Sequence, residues 1–241
     1  MQYLNLRNGW SLKPATLEKI LQGKVDFPYG SERPLKYFGD YMKKGCYPFS
    51  LEPEFETRLR QVINTTVELD IPKYAKMTIA ATRKLKKFMF YISKSVPVKI
   101  NFSDMARDLE LDRDELPKYL EYLEKAELVS ILRMKANGDA ILRKMGKLYL
   151  HNPNMAYVIS GEQPETGNAR ETIFYCWTKQ RYETMESPVS DFEIDGKTFE
   201  VGGRKKGKKQ IEDVSDGYVV KDNTEYVFDN QVPLWMFGFL Y

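Results

Sequence analysis

Apolar residues in the middle of the chain recur at positions i, i+3, i+4 and i+7, a spacing typical of amphipathic helices. The pattern predicts three helices, over residues 78–95, 101–111 and 112–129. Over residues 128–150 it becomes strand-like around an Asn137-Gly138-Asp139 turn, which predicts a β-hairpin. Three short helices followed by a hairpin are the plan of a winged helix, which we assign to residues 73–150.

Different patterns flank this region. Residues 1–72 show helical periods separated by loops that contain proline and glycine, and we expect a helical lead-in that ends at Pro72. Residues 151–241 begin with loops at 151–154 and 161–168 and continue with one helix and several strand-like segments. The sequence therefore predicts the α+β class: an N-terminal helical segment and a winged helix, followed by an α/β domain over residues 151–241.

Composition narrows the function classes. The net charge is only +3, so the chain as a whole does not indicate a polyanionic partner. His151 is the only histidine, which argues against His-based triads and His-rich metal sites, and no stretch follows the P-loop pattern. Cys46 and Cys176 lie far apart, no secretory signal opens the sequence, and no apolar run approaches the roughly 18–20 residues of a membrane span. We therefore expect a cytoplasmic protein with no membrane partner and no ATP site of its own.

The stretch "DFEIDGKTFE", residues 191–200, contains a strong hairpin signal at Asp195-Gly196. Counted outward from this turn, the strands place Asp191 directly opposite Glu200, although like charges at facing positions destabilise a sheet. Water at an exposed edge, a shared proton or a bound cation would each relieve the repulsion. The cation alternative predicts a Mg²⁺ or Mn²⁺ site at Asp191 and Glu200, as in metal-dependent nucleases.

Two further residues belong to this hypothesis. Glu171 is either a third acid, contributed by the preceding helix, or the partner of an Asn168 N-cap in a variant of the capping box. Nucleases of this kind usually carry a lysine two residues after the second acid, and that position is Gly202 here. Lys205 is the residue expected to replace it if the site is catalytic.

Basic residues form two groups that are suited to phosphate contacts. The hairpin of the winged helix carries Arg133, Lys135, Arg143, Lys144 and Lys147, and the loop after Glu200 carries Arg204, Lys205, Lys206, Lys208 and Lys209. The third helix, which would enter a major groove, is instead rich in acidic residues. Packing or protein contacts therefore remain an alternative to DNA binding for the winged helix, and a solvated turn remains an alternative for the loop.

The chain resembles the C-terminal region of bacterial and archaeal AAA-type ATPases whose C-terminal domain is nuclease-like. The stretches that carry the resemblance include "LKYFGDYMKKGCYPF", "KLYLHNPNMAYVIS", "GNARETIFYCW", "SDFEIDGKTFEVGGRKKGKKQI" and "PLWMFGFLY". The resemblance implies an upstream ATPase domain that binds ATP, and a winged helix followed by a restriction-endonuclease-like domain of the PD-(D/E)xK type. In that alignment Glu171, Asp191 and Glu200 occupy the acidic positions, and Gly202 in place of the lysine implies a degenerate nuclease.

These observations predict an accessory recognition region of an AAA-type ATPase. It would bind DNA or a protein partner, and couple that binding to ATP turnover in the upstream domain. One alternative is a Mg²⁺- or Mn²⁺-dependent nuclease that uses Asp191, Glu200, Glu171 and Lys205. Another is a protein-interaction module of a defence or toxin–antitoxin system.

Overall fold

The computed structural model describes residues 1–28, 33–135, 145–160, 165–203, 211 and 214–240. Its α-helices are α1 (Gln2–Asn8), α2 (Leu17–Leu21), α3 (Pro34–Lys44), α4 (Phe55–Thr65), α5 (Ile71–Ala75), α6 (Ile79–Ser95), α7 (Phe102–Leu109), α8 (Leu116–Lys125), α9 (Pro153–Ser160) and α10 (Thr166–Thr178). Its strands are β1 (Val98–Lys99), β2 (Val129–Met134), β3 (Met145–Leu150), β4 (Thr184–Glu186), β5 (Phe192–Ile194), β6 (Lys197–Gly202), β7 (Gly217–Lys221) and β8 (Gln231–Pro233). None of the described helices is long and apolar enough to cross a membrane.

The eight strands form one mixed sheet in the order β1-β3-β2-β4-β5-β6-β7-β8. The first three strands pair antiparallel, and β2 and β3 are the two strands of the hairpin predicted over residues 128–150. Strand β4 pairs parallel to β2 and antiparallel to β5, and so joins the hairpin to the C-terminal strands. Strands β6, β7 and β8 run parallel. The α+β class predicted from the sequence is confirmed.

Apolar side chains form two cores on this scaffold. We call the first the winged-helix core, after the assignment predicted for residues 73–150, and it contains the apolar stripe of α8, with Leu116, Tyr119, Leu120 and Leu123 all buried. The C-terminal core is built from α10, strands β5 to β8 and the final turns, with Phe174, Phe192 and Phe199 in contact.

The predicted lead-in of residues 1–72 divides between the two cores. Tyr3, Leu17 and Ile20 pack into the C-terminal core, whereas Phe55 and Leu59 pack into the winged-helix core. The segment therefore contributes to both halves of the molecule.

Two local predictions are wrong. Pro72 does not end its helix: a π-helical turn over Thr66–Asp70 leads directly into α5, which contains Pro72 in its first turn and ends at Ala75. Because proline has no N–H to donate, a carbonyl one turn before Pro72 receives no bond from it, and the wide π-helical turn lies at this place. The loop predicted at residues 151–154 ends at Asn152, because α9 begins at Pro153, and the Asn152 side chain accepts a bond from the Met155 N–H at its start.

Candidate functional site

The hairpin at residues 192–202 forms as the sequence predicts. Asp195 and Gly196 both have positive φ, 49° and 75°, which matches a two-residue loop between twisted strands. Phe192 pairs with Phe199, and both enter the C-terminal core. The register that sets residue 191 opposite residue 200 is therefore the register of the folded chain.

Asp191 lies one residue before β5 and its carboxylate has two defined partners. Oδ2 accepts a hydrogen bond from the Val201 N–H at 2.9 Å, and Oδ1 lies 3.4 Å from Nζ of Lys147. A backbone donor and an ammonium group thus stabilise the ionised form at this position.

Glu200 makes a different set of contacts. Its neighbours Phe199 and Val201 point into the C-terminal core, so the alternation of the strand directs Glu200 to the opposite face of the sheet. Only 1% of Glu200 is exposed, and Oε2 accepts a hydrogen bond from the Ser190 hydroxyl. The Ser190 hydroxyl thus satisfies part of the hydrogen-bonding capacity of this buried side chain.

Glu171 is positioned inside α10, and the capping alternative is wrong. The helix begins at Thr166, two residues before Asn168, so Asn168 is not its N-cap. The Glu171 side chain instead reaches the sheet, where Oε2 accepts a bond from the Tyr149 hydroxyl at 3.0 Å and lies 3.4 Å from Nζ of Lys147. Burial and the nearby charge of Asp191 raise the pKa of Glu171 above its ordinary value.

Lys147 is the centre of this arrangement, which we call the Lys147 cluster: Lys147, Tyr149, Glu171 and Asp191. Lys147 and Tyr149 are two residues apart on β3, so both side chains point toward α10. Burial lowers the pKa of Lys147, but the charges and hydrogen bonds of Glu171 and Asp191 outweigh it and the net shift is upward. The ammonium group therefore stays charged and neutralises part of the carboxylate pair.

Lys147 was predicted to contact a phosphate backbone, and its partners in the fold are carboxylates. The sequence offered one signal for this role: Lys147 and Tyr149 share the face of β3 that must pack against a helix. A lysine on a packed face requires a negative partner, but nothing in the local sequence identifies Glu171 and Asp191 as that partner.

The Lys147 cluster offers two carboxylates and an ammonium group. In the described part of the chain, no three His, Cys, Asp or Glu side chains are grouped in a way that would hold a metal ion. The Lys147 ammonium also lies within 3.4 Å of both carboxylates, where it supplies the positive charge that a cation would bring. Metal binding by Asp191 and Glu200 stays a prediction from the sequence.

Two predicted nucleic-acid contacts on the wing are paired with acids. Both terminal nitrogens of Arg133 donate to Glu124 of α8, at 3.1 and 3.0 Å, and Lys135 lies 3.0 Å from Glu193 of β5. Such pairs reduce the positive potential that a phosphate backbone would meet. The remaining predicted contacts lie outside the described residues: Arg143, Lys144, Arg204, Lys205, Lys206, Lys208 and Lys209.

A second ion pair supports the carboxyl end of β6. Arg170, next to Glu171 on α10, pairs with Asp222, which is only 8% exposed. A Cβ at Gly203 would come within 3.1 Å of the Arg170 guanidinium, so a side chain there would force the guanidinium to shift slightly against Asp222. Neither Arg170 nor Asp222 was singled out from the sequence.

His151 belongs to a separate polar group on the other side of α10. Its Nδ1 lies 3.2 Å from Nζ of Lys179, which also donates to the Ser130 hydroxyl. Burial, and then the charge of Lys179, lower the pKa of His151 to about 4. The neutral ring accepts a hydrogen bond from the Lys179 ammonium group, and a protonated ring would repel that group.

This arrangement predicts a pH-dependent loss of stability. Because the pKa of His151 is lower in the folded state than its ordinary 6.5, its contribution is complete above pH 6.5 and is lost as the pH falls through about 4. The loss is on the order of 3 kcal/mol in the free energy of unfolding. Urea unfolding of the wild type and His151→Gln at pH 7.5 and 4 measures it. The wild type is expected to lose more stability than the variant, and equal losses would contradict the assignment.

Comparison with known proteins assigns the chain to a family. The fold is mixed α and β, and its one sheet runs from the β2–β3 hairpin through β4 into the C-terminal strands. The chain belongs to a family described as a domain of unknown function, DUF8612, whose profile matches residues 35–166. No curated protein and no solved structure matches the chain. The matched range contains Lys147 and Tyr149 and ends before Glu171, Asp191 and Glu200.

Proposed function

We propose that this chain is a recognition region of an AAA-type ATPase that binds a macromolecular partner and does not cut nucleic acid. Partner binding would be coupled to ATP turnover in an ATPase domain of the same protein. The resemblance described above supports the ATPase parentage.

One observation carries the non-catalytic part of the proposal. Nζ of Lys147 lies 3.4 Å from Glu171 and 3.4 Å from Asp191, so the carboxylates that a nuclease would offer to a metal ion are paired with a side chain. Admitting a divalent cation would require the displacement of a half-buried lysine whose pKa is already raised by these acids. The absence of a lysine at Gly202 agrees with the same conclusion.

The charge distribution favours a protein as the partner. The exposed side of α8, which would face a major groove, carries Glu121 and Glu124, and Glu124 already holds Arg133. These carboxylates repel phosphates, and they hold Arg133 and Lys125 in ion pairs that weaken the attraction of a phosphate backbone. A winged helix with such a surface is better suited to contacts with another protein.

The proposal predicts that the chain has no metal-dependent nuclease activity. Supercoiled plasmid incubated with a molar excess of the wild type, and with Mn²⁺ or Mg²⁺ in large excess over the protein, is expected to remain intact, because the Lys147 ammonium already pairs with the acids that would bind the metal ion. Asp191→Ala is the matched control, and gel electrophoresis is the readout. Cleavage by the wild type that is lost in Asp191→Ala would overturn the proposal.

A metal-dependent nuclease is the second candidate, and one observation favours it. Glu171 of α10 and Asp191, just before β5, both contact Lys147. The fold thus brings two acids and a lysine together although they are far apart in the sequence. The same plasmid assay with Lys147→Met distinguishes the candidates. A nuclease that uses this lysine loses activity in the variant, whereas a non-catalytic cluster shows no cleavage in either protein.

A further inference from the structure

A groove between α4 and α6 is the feature that the proposed function leaves unexplained. It encloses about 150 Å³ and reaches α9 at Ile159. Its floor contains Ile63, Val67 and Met89, all buried, and Phe90 of α6 stands beside them with 49% of its surface exposed. A large aromatic side chain that is half exposed next to an apolar cavity marks a surface on which a partner can bury area.

The charged side chains that line the groove are basic. Arg60 and Lys86 line it, and in the described part of the chain its lining contains no carboxylate. The Lys94 ammonium lies 4.6 Å from the centre of the Phe90 ring, at the same surface. Lys86 is already paired with Glu68, so Arg60 and Lys94 are the cations that face a partner.

The backbone beside the groove is unusual. The π-helical turn Thr66–Asp70 follows α4 directly and includes Val67, one of the residues of the groove floor. Such wide turns within helices occur frequently at functional sites. Here the turn lies next to the cavity, so backbone geometry and side-chain chemistry single out the same surface.

We propose that this groove binds an acidic amphipathic helix of a partner protein, which inserts one large apolar side chain between α4 and α6. The groove volume of about 150 Å³ is that of a space which holds a single aromatic ring, and this sets the size of the anchor. Acidic residues flanking the anchor would face Arg60 and Lys94, in the helix-in-groove mode of recognition. The inference rests on the proposed function, in which the chain binds a protein.

Two labelled synthetic peptides test the proposal against the full chain by fluorescence anisotropy. Each has about 20 residues, enough for a marginally stable helix, with Phe and Leu at i, i+3, i+4 and i+7. One carries Glu and Asp on its flanks and the other carries Lys and Arg. The acidic peptide is expected to bind with an affinity that falls as the salt concentration rises. The affinity of the basic peptide is expected to be lower by about tenfold or more.

Exposed variants locate the binding surface without disturbing the core. Arg60→Glu and Phe90→Asp are each expected to lower the affinity for the acidic peptide by about tenfold or more. Arg181→Glu, a reversal at an exposed arginine outside the groove, serves as the control and is expected to bind as the wild type does.

Three results would overturn the inference. Equal binding of both peptides would remove the charge argument, and unchanged binding by Phe90→Asp would place the site elsewhere. Displacement of the acidic peptide by duplex DNA of equal total charge would reduce the effect to polyanion attraction. The plasmid assay is independent of these outcomes, so failure here leaves the non-catalytic proposal to be judged by cleavage alone.

Discussion

Lys147→Met is expected to lower the free energy of unfolding by about 3 kcal/mol at neutral pH. The substitution keeps the length of the side chain but removes the charge that Glu171 and Asp191 share. Removing one partner of a buried ion pair leaves the other charge uncompensated, which is the costly outcome. Such losses are typically about 3–5 kcal/mol. The value expected here is at the low end because 21% of the Lys147 side chain is exposed.

The loss should depend on pH in a defined direction. The pKa of Glu171 is already raised in the wild type by burial and by Asp191, and loss of the lysine raises it further. A carboxyl group whose folded pKa is raised favours the folded state most when it is protonated. The deficit of Lys147→Met is therefore largest above the folded pKa of Glu171 and shrinks as the pH falls toward its ordinary 4.5.

Urea unfolding at pH 8 and pH 5 measures this difference. The double variant Lys147→Met with Glu171→Gln is the matched control, because it removes one of the two uncompensated carboxylates and should recover part of the stability. A Lys147→Met protein as stable as the wild type at pH 8 would show that the cluster is solvated, and the argument for a closed site would then fail.

The hairpin illustrates what the sequence predicts well. Asp195-Gly196 requires positive φ at both residues, and few dipeptides adopt it so readily. Once the turn is fixed, the two-residue period of the strands determines which residues face each other, so the Phe192–Phe199 pair follows. The apolar stripe of α8 is equally local and was predicted residue by residue.

The Lys147 cluster illustrates what local patterns do not contain. Lys147 is 24 residues from Glu171 and 44 from Asp191, and they meet only because β2 pairs with β4 and carries β3 into the same sheet as β5. The parallel pairing of β2 and β4 is a contact between two predicted domains, and no periodicity within either segment indicates it. The sequence therefore predicted the acids of the site and assigned its lysine to a different role.

Asn154→Ala is expected to lower the free energy of unfolding by about 3 kcal/mol or more, because several buried polar groups lose their partners at once. Asn154 is fully buried. Its amide nitrogen donates to the carbonyl oxygens of Tyr41 and Met42 at 3.1 and 2.7 Å, and its side-chain oxygen accepts from the Cys46 N–H at 2.8 Å. These groups form the end of α3, which an alanine would leave without hydrogen bonds in a site that water does not reach.

The position of the Asn154 hydrogen bonds, which we call the Asn154 clamp, explains why the loss of stability should reach beyond α3. Tyr41 packs on Trp177 in the C-terminal core, while Met155, the next residue after Asn154, is buried in the winged-helix core. Asn154 therefore links elements of both cores. The three tryptophans all belong to or pack against the C-terminal core, so fluorescence reports that half and circular dichroism reports the whole chain.

Asn64→Ala, on the exposed side of α4, is the control and is expected to stay within about 0.5 kcal/mol of the wild type. In Asn154→Ala both the fluorescence and the circular-dichroism midpoints in urea should fall, because the clamp is made by both cores. A fall in neither signal would mean that α3 is held by its aromatic contacts alone. A fall in fluorescence alone would mean that the winged-helix core is stable without the clamp, and the cores would then be separable units joined only through the sheet.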